Sequence, residues 1–256
     1  MSRMHEHFSK LSASYNELRT TDVEPVRYIR ERLPDQGEIR AADIGCGAGR
    51  YDLLLLQHLP GLHLTCADVN GAMVEETARY LKSHGQSNFV AQRIDASDLR
   101  LPDGALDCVV TFNAIHHFDP VAFLGQAAQA VKNSGHVFVY TRLKSQNARN
   151  IWGRFFPGFP EKETRLYDLG YVESWADRLD GLNLETIEFF RFERVAPLER
   201  LLDQAAGKHY STFSLYSADE LRKALEVFEA RLAQHFMDCD QIKWTDENVM
   251  MVFRRN

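Results

Sequence analysis

Cysteine is scarce in this 256-residue chain: there are four, Cys46, Cys66, Cys108 and Cys239, and no two have Cys-x-x-Cys spacing. A disulfide-stapled scaffold is thereby excluded, and a reduced, cytoplasmic protein is expected. Long apolar runs are also missing. Leu53–Leu56 is the one near the start, far short of a bilayer span, and Met1–His7 lacks the apolar stretch of a secretory signal. Eight prolines and fifteen glycines are too few for a fibrous or disordered chain. Nor is there a surplus of positive charge. Thirty Lys and Arg against 36 Asp and Glu leave a net charge of −6, so a chain-wide footprint for nucleic acid is absent, although a local patch could suffice. There is no internal repeat and no low-complexity segment.

What is present is an alternation. From about residue 38 to 142, short runs rich in branched and aromatic residues (39–44, 62–67, 89–94, 108–112, 136–140) predict strands, separated by helix candidates at 50–58, 71–83 and 120–132. Met73, Val74, Thr77 and Leu81 share one face of the second helix. Such alternation implies βαβ units, a parallel sheet covered on both faces, and ligands bound beyond the carboxyl ends of the strands. After Arg142 the rhythm breaks. An ordered loop or short helices are expected over 143–166, a helix over 172–179, a strand over 184–195 and a last strand over 249–253. Ser217 and Glu220 form a capping-box signature before a helix that buries Leu221, Leu225, Phe228 and Leu232. The chain reads as one domain: an N-terminal lid or helices over 1–36, a cofactor-binding core over 37–142, and a substrate-side elaboration with closing strands over 143–256.

The chemistry concentrates at strand ends. Residues 42–50 read ADIGCGAGR where the first strand turns into the first helix; glycines there permit a sharp turn and close approach of a ligand. A dinucleotide fingerprint would need glycine at position 50, which is Arg50. A second acid, Asp68, ends the next strand, where a carboxylate can accept both hydroxyls of a ribose. A third, Asp95, ends the one after. Turn chemistry alone explains a single Asp-Gly pair but not three acids at successive strand ends. A nicotinamide cofactor and a fold without cofactor are the alternatives.

These residues resemble the class I S-adenosylmethionine-dependent methyltransferases, in particular the small-molecule subgroup that includes the ubiquinone and menaquinone methylases. The resemblance covers roughly residues 15–142. It implies a doubly wound α/β fold with a mostly parallel seven-stranded Rossmann-like sheet and a helical insertion near the C-terminus, and it implies S-adenosylmethionine as cofactor. Asp43 would meet the methionine amino group, and Gly45, Cys46 and Gly47 would wrap methionine and ribose. Asp68 would hold the ribose hydroxyls, Val69 would pack on the adenine, and Asp95 and Ala96 would bond its edge. Asn113 would lie near the sulfonium. The stretch Ala13–Arg19 resembles the subgroup's lead-in, with Tyr15 shielding the methyl group and Arg19 facing the substrate; an ordinary amphipathic helix reads equally well.

Methyl transfer needs alignment, exclusion of water and, for some acceptors, a base. His116 and His117 follow the fourth strand where a base would stand. Alternatively, one of them packs in the loop and caps the next helix. The Asn/Asp-Pro-Pro-aromatic motif of nucleic-acid amino methylases is absent at Asn113–His116, as are hard-oxygen ligands for magnesium, so no metal is expected. Adjacent histidines make a poor zinc pair. Residues 142–165 carry Arg142, Lys144, Arg149, Arg154, Lys162 and Arg165 against Glu161 and Glu163. This predicts a pocket for an aromatic or apolar small molecule bearing a carboxylate or phosphate, held by Arg165 and covered by Trp152 or a phenylalanine. His209, Tyr210 and Ser211 could reach the same place. A transfer RNA acceptor and a non-catalytic cofactor-binding protein are the alternatives; no membrane partner is expected. The tail helices either cover the sheet or form a homodimer.

Overall fold

A computed structural model describes residues 20–33 and 37–256. After a short helix, α1 (Glu24–Arg30), the core alternates as expected: β1 (Ile39–Ile44), α2 (Arg50–His58), β2 (Leu62–Asp68), α3 (Gly71–Ser83), β3 (Phe89–Arg93), β4 (Leu106–Phe112), α4 (Pro120–Ala130) and β5 (Val131–Thr141). Four short helices follow, α5 (Lys144–Arg149), α6 (Ile151–Phe155), α7 (Phe159–Lys162) and α8 (Leu169–Glu173). Then come β6 (Leu182–Ala196), α9 (Leu198–Ala206), α10 (Ala218–His235) and β7 (Ile242–Arg255).

The seven strands form one sheet in the order β3-β2-β1-β4-β5-β7-β6. The first five run parallel, and β7 is antiparallel to both of its neighbours, β5 and β6. This is the doubly wound, Rossmann-like arrangement expected above, mostly parallel with antiparallel pairing at the C-terminal strands. Strand period decides the two cores. Along β1, Ala42 and Ile44 join one buried cluster while Ile39 and Ala41 join the other; along β5, Val137 and Val139 face the first, Phe138 and Tyr140 the second. A third cluster, built from Trp152, Phe156, Phe213 and Phe228, fastens α9 and α10 onto α6 and α7. The insertion between β6 and β7 therefore shares its core with the segment after β5.

Three expectations need correction. The helix at 120 stops at Ala130 instead of 132, because Val131 already has extended backbone and pairs with Leu106. The helix expected at 172–179 divides into α8 and a 3-10 turn, Ala176–Arg178. Val172 and Trp175, three residues apart and both fully buried, anchor that division in the first core. The last strand is 14 residues long, beginning at Ile242. Its polar half, Thr245–Asn248, broke the hydrophobic pattern in the sequence, although β6 pairs with it throughout.

Candidate active site

The order of the sheet reverses between β1 and β4, and two cavities lie side by side beyond the carboxyl ends of the strands there. The first, of about 400 Å³, is bordered by Asp43, Gly45, Cys46, Gly47, Asp68, Val69, Asp95, Ala96 and Asn113. The second, of about 250 Å³, is bordered by His116, Arg142, Trp152, Tyr210, Trp244 and Asn248, among others. Arg50, Tyr51, Asn113 and His117 line both, so the cavities meet along one wall. Tyr15 and Arg19 lie outside the described residues.

The glycine loop is built by backbone conformation. Gly45, Gly47 and Gly49 all have positive φ, +80°, +58° and +81°. At Gly45 a Cβ would stand 2.5 Å from the Cβ of Ala114 and 3.0 Å from the ring of Phe118. Gly45→Ala is therefore expected to lower stability by about 2–4 kcal/mol through backbone strain and overpacking, visible as a drop in Tm. Asp68 holds this loop: Oδ2 accepts from Gly47 N (3.0 Å) and Oδ1 from Asn70 N (2.8 Å). Asp95 Oδ1 accepts from Ser97 N (2.9 Å) and Ser97 Oγ (2.8 Å), closing its own turn. Asp43 differs from both. It is 1% exposed, and no donor among the described residues reaches its Oδ1. Burial, with Asp52 and Asp68 adding negative charge, pushes its carboxyl well above the usual range.

In the shared wall, the Tyr51 ring stacks on Phe112 with centroids 4.1 Å apart. Burial pushes the Tyr51 phenol up to about 12, and burial also raises Tyr140. Both remain phenols at neutral pH and cannot serve as bases there. Asn113 has φ 53°, a left-handed conformation uncommon outside glycine. Its N–H donates to Tyr140 O (2.7 Å), and the Asn248 amide donates to Asn113 Oδ1 (3.3 Å) and Thr141 O (3.2 Å). His116 and His117 form a 3-10 turn with Ile115, their rings 4.2 Å apart. The cap of α4 is Asp119, which accepts from Val121 N and Ala122 N at 3.0 Å, so no histidine has that task.

The basic stretch after β5 does not make the second pocket by itself. Arg142 is the only one of its six cations on the wall. Five of them meet carboxylates: Arg142 with Asp246 (3.0 Å), Lys144 with Asp168 (3.3 Å), Arg149 with Glu247 (2.8 Å), Lys162 with Glu220 (3.2 Å) and Arg165 with Glu163 (2.5 Å). Arg154 instead lies over the Phe155 ring, 5.1 Å from its centroid. Arg165, expected to bind substrate, is off the cavity wall, and Glu163 takes its guanidinium. Burial alone would raise the Glu163 carboxyl, but Arg165 and the Thr212 hydroxyl (2.6 Å) outweigh it and hold the carboxyl low. Trp152 and Tyr210 do come together, through the third core: His209 packs 5.0 Å from Trp152 and 4.2 Å from Tyr210, and Arg142 reaches the Tyr210 hydroxyl at 3.4 Å.

Sequence reasoning missed much of this wall. Arg194 bonds Asp22 (2.6 Å) and Asp246 (3.5 Å), tying the N-terminal part of the described chain to β6 and β7. Nothing marked Arg194, Asp246 or Asn248, because antiparallel strands carry no motif. Tyr51 and Thr141 were findable, since each sits at the end of a strand or beside the glycine loop.

Residues 42–137 match a family model described as a methyltransferase domain. A curated relative, the ribosomal RNA small subunit methyltransferase C of Shewanella amazonensis, is 35% identical over 80 residues, 31% of this chain; the match spans 22% of that relative's length. Among solved structures, a protein of an antibiotic biosynthesis pathway from Anabaena variabilis, described as a methyltransferase, aligns with a TM-score of 0.69 at 20% identity, over 91% of this chain and 98% of that one. Phosphoethanolamine N-methyltransferase 2 of Haemonchus contortus, in complex with phosphomonomethylethanolamine and S-adenosylhomocysteine, aligns with a TM-score of 0.57 at 16% identity, over 91% of this chain and 52% of that one. Residues 42–137 thus match a methyltransferase domain, and the strand order, the glycine loop and the strand-end acids agree with that match.

Proposed function

We propose that the protein transfers a methyl group from S-adenosylmethionine to a small molecule with an aromatic or apolar body and an acidic group. The single observation that carries this reading is the pair of cavities with one wall in common, one sized and lined for the nucleoside, the other beside it for an acceptor. The first cavity fits the cofactor. The buried, donorless Asp43 oxygen suits an ammonium group, Asp68 suits ribose hydroxyls, and the glycines leave room a Cβ would fill. Bound there, S-adenosylmethionine supplies a methyl group already activated on a positively charged sulfur.

What remains for the protein is alignment, a dry site and, where the acceptor carries a proton, its removal. Asn113 and Tyr51 border the passage between the cavities. His116, which borders the second cavity, and His117, which borders both, would be the groups to take that proton. Four arginines (Arg50, Arg142, Arg194, Arg200) against three carboxylates (Asp22, Glu163, Asp246) on the wall favour an anionic acceptor. The Trp244 indole N–H, buried with no acceptor among the described residues, is a further donor on that wall. Trp152 and Tyr210 give apolar cover. The Haemonchus protein, solved in complex with the phosphate-bearing phosphomonomethylethanolamine, agrees with this chemistry.

RNA is the second reading, favoured by the stretch in common with the ribosomal RNA enzyme. Incubation with methyl-labelled S-adenosylmethionine, a pool of small aromatic and aliphatic acids, their amine counterparts, and total RNA separates the two. Label in the acid pool is the expected result. Label in RNA, with binding that weakens steeply with salt, would replace this reading with the second; cofactor binding without label anywhere would mean a binding protein without turnover.

A further inference from the structure

Every second residue in the polar half of β7 lines the second cavity: Trp244, Asp246 and Asn248 do, while Lys243, Thr245 and Glu247 do not. Asn248 stands beside the passage between the cavities, where its amide meets Asn113. Asp246 is two residues away on the same face, about 7 Å farther along the strand. It joins two guanidinium groups: Arg142 Nη2 donates to its Oδ1 (3.0 Å) and Arg194 Nε to its Oδ2 (3.5 Å). Arg194 has a second carboxylate, Asp22 (2.6 Å), whereas Asp246 is the one carboxylate that Arg142 meets, and it is shared. The charge on Arg142 is therefore the less fully answered of the two.

Its donors are not all used either. A guanidinium has five N–H groups. Arg142 places one on Asp246, one on Glu247 O (3.1 Å) and one, at 3.4 Å, on the Tyr210 hydroxyl. Two remain, one on each terminal nitrogen, with no acceptor among the described residues, and the side chain is only 10% exposed. The buried Trp244 indole N–H, on the other side of Asp246, also has no acceptor among the described residues. Buried donors left in this state cost free energy that a ligand bearing acceptor oxygens would recover. The charges agree with such a ligand. Of the three carboxylates on the wall, Glu163 is already met by Arg165 from off the wall, so four arginines face Asp22 and Asp246 alone.

We propose that Arg142 is the specificity-determining residue for the acceptor: its two remaining N–H groups take the acid group, carboxylate or phosphate, of a compact aromatic substrate whose methyl-accepting atom lies across one ring, toward Asn113. The inference deepens the small-molecule reading above and rests on it.

Unreactive fluorinated probes test this by fluorine NMR, on protein saturated with S-adenosylhomocysteine. 4-Fluorobenzoate and 4-fluorophenyl phosphate carry the acid group, and 4-fluorobenzamide is the neutral counterpart. The better of the two acids identifies the group, and it is expected to bind at least about tenfold more tightly than the amide. In Arg142→Gln this preference falls below about threefold, because the acid loses affinity while the amide and S-adenosylhomocysteine bind as they do to the parent. A purely structural role would weaken acid and amide alike. Arg142→Lys keeps the charge without the planar fork and is expected to lose at least about threefold of the preference, which decides the matter should the glutamine variant not fold. No acid preference in the parent, the parent's preference retained in either variant, or equal weakening of acid and amide would overturn the inference. A parent that does not bind S-adenosylhomocysteine is a different result: it would remove the cofactor reading, and this inference with it.

Discussion

Asp68→Ala is expected to weaken S-adenosylmethionine binding by about 100-fold or more while the protein still folds. Asp68 has two tasks. Its carboxylate faces the cavity at the end of β2, where ribose hydroxyls would donate to it, and it accepts the backbone N–H groups of Gly47 and Asn70. Hydrogen bonds to a charged group contribute about 1.5–3 kcal/mol each, so losing two toward the ribose alone gives roughly 3–6 kcal/mol. Release of Gly47 adds to this by loosening the loop. The side chain is half-buried at the cleft rim and belongs to none of the three cores, so the thermal transition should move little. Calorimetry of binding beside a melting curve checks both halves. Binding at the parent's affinity would show that the ribose lies elsewhere.

The second large effect is on stability. Trp152→Ala should cost about 3–5 kcal/mol, enough to threaten the fold of the region around it. The Trp152 ring is 2% exposed and packs against His209, Phe213 and Phe228 with centroids 5.0, 5.4 and 5.1 Å away. Because it also lines the second cavity, the one proposed to take the acceptor, the truncation should raise the KM for the acceptor far more than it changes affinity for the cofactor. The cofactor cleft draws its walls from the other two clusters, which this substitution leaves intact. Trp152→Phe should recover most of the stability and little of the acceptor affinity. Denaturant titration and steady-state kinetics on both variants separate the two contributions.

The contrast between these two residues runs through the whole molecule. Asp68, Asp43 and Asp95 were readable as a set because each stands at the end of a strand that its own hydrophobic run announces. Parallel strands with helical crossovers place those ends on one edge by topology alone. Sequence therefore determined the alternating core, the glycine turn at Gly45–Gly49, the cap at Ser217 and the class of ligand. It could not determine the wall of the second cavity. That wall is assembled from α2, β5, β6, β7 and the insertion, and contacts such as Arg142 with Asp246 join residues about a hundred positions apart. Only the tertiary structure shows that the basic stretch after β5 is answered by carboxylates from elsewhere, which takes Arg165 out of the site and brings Arg194 in. Only it shows that the polar break in the last strand faces a cavity. Local pattern encodes which backbone forms and which side is buried; which charges end up facing one another depends on how distant elements pack, and in this protein that packing decides the lining of the second cavity.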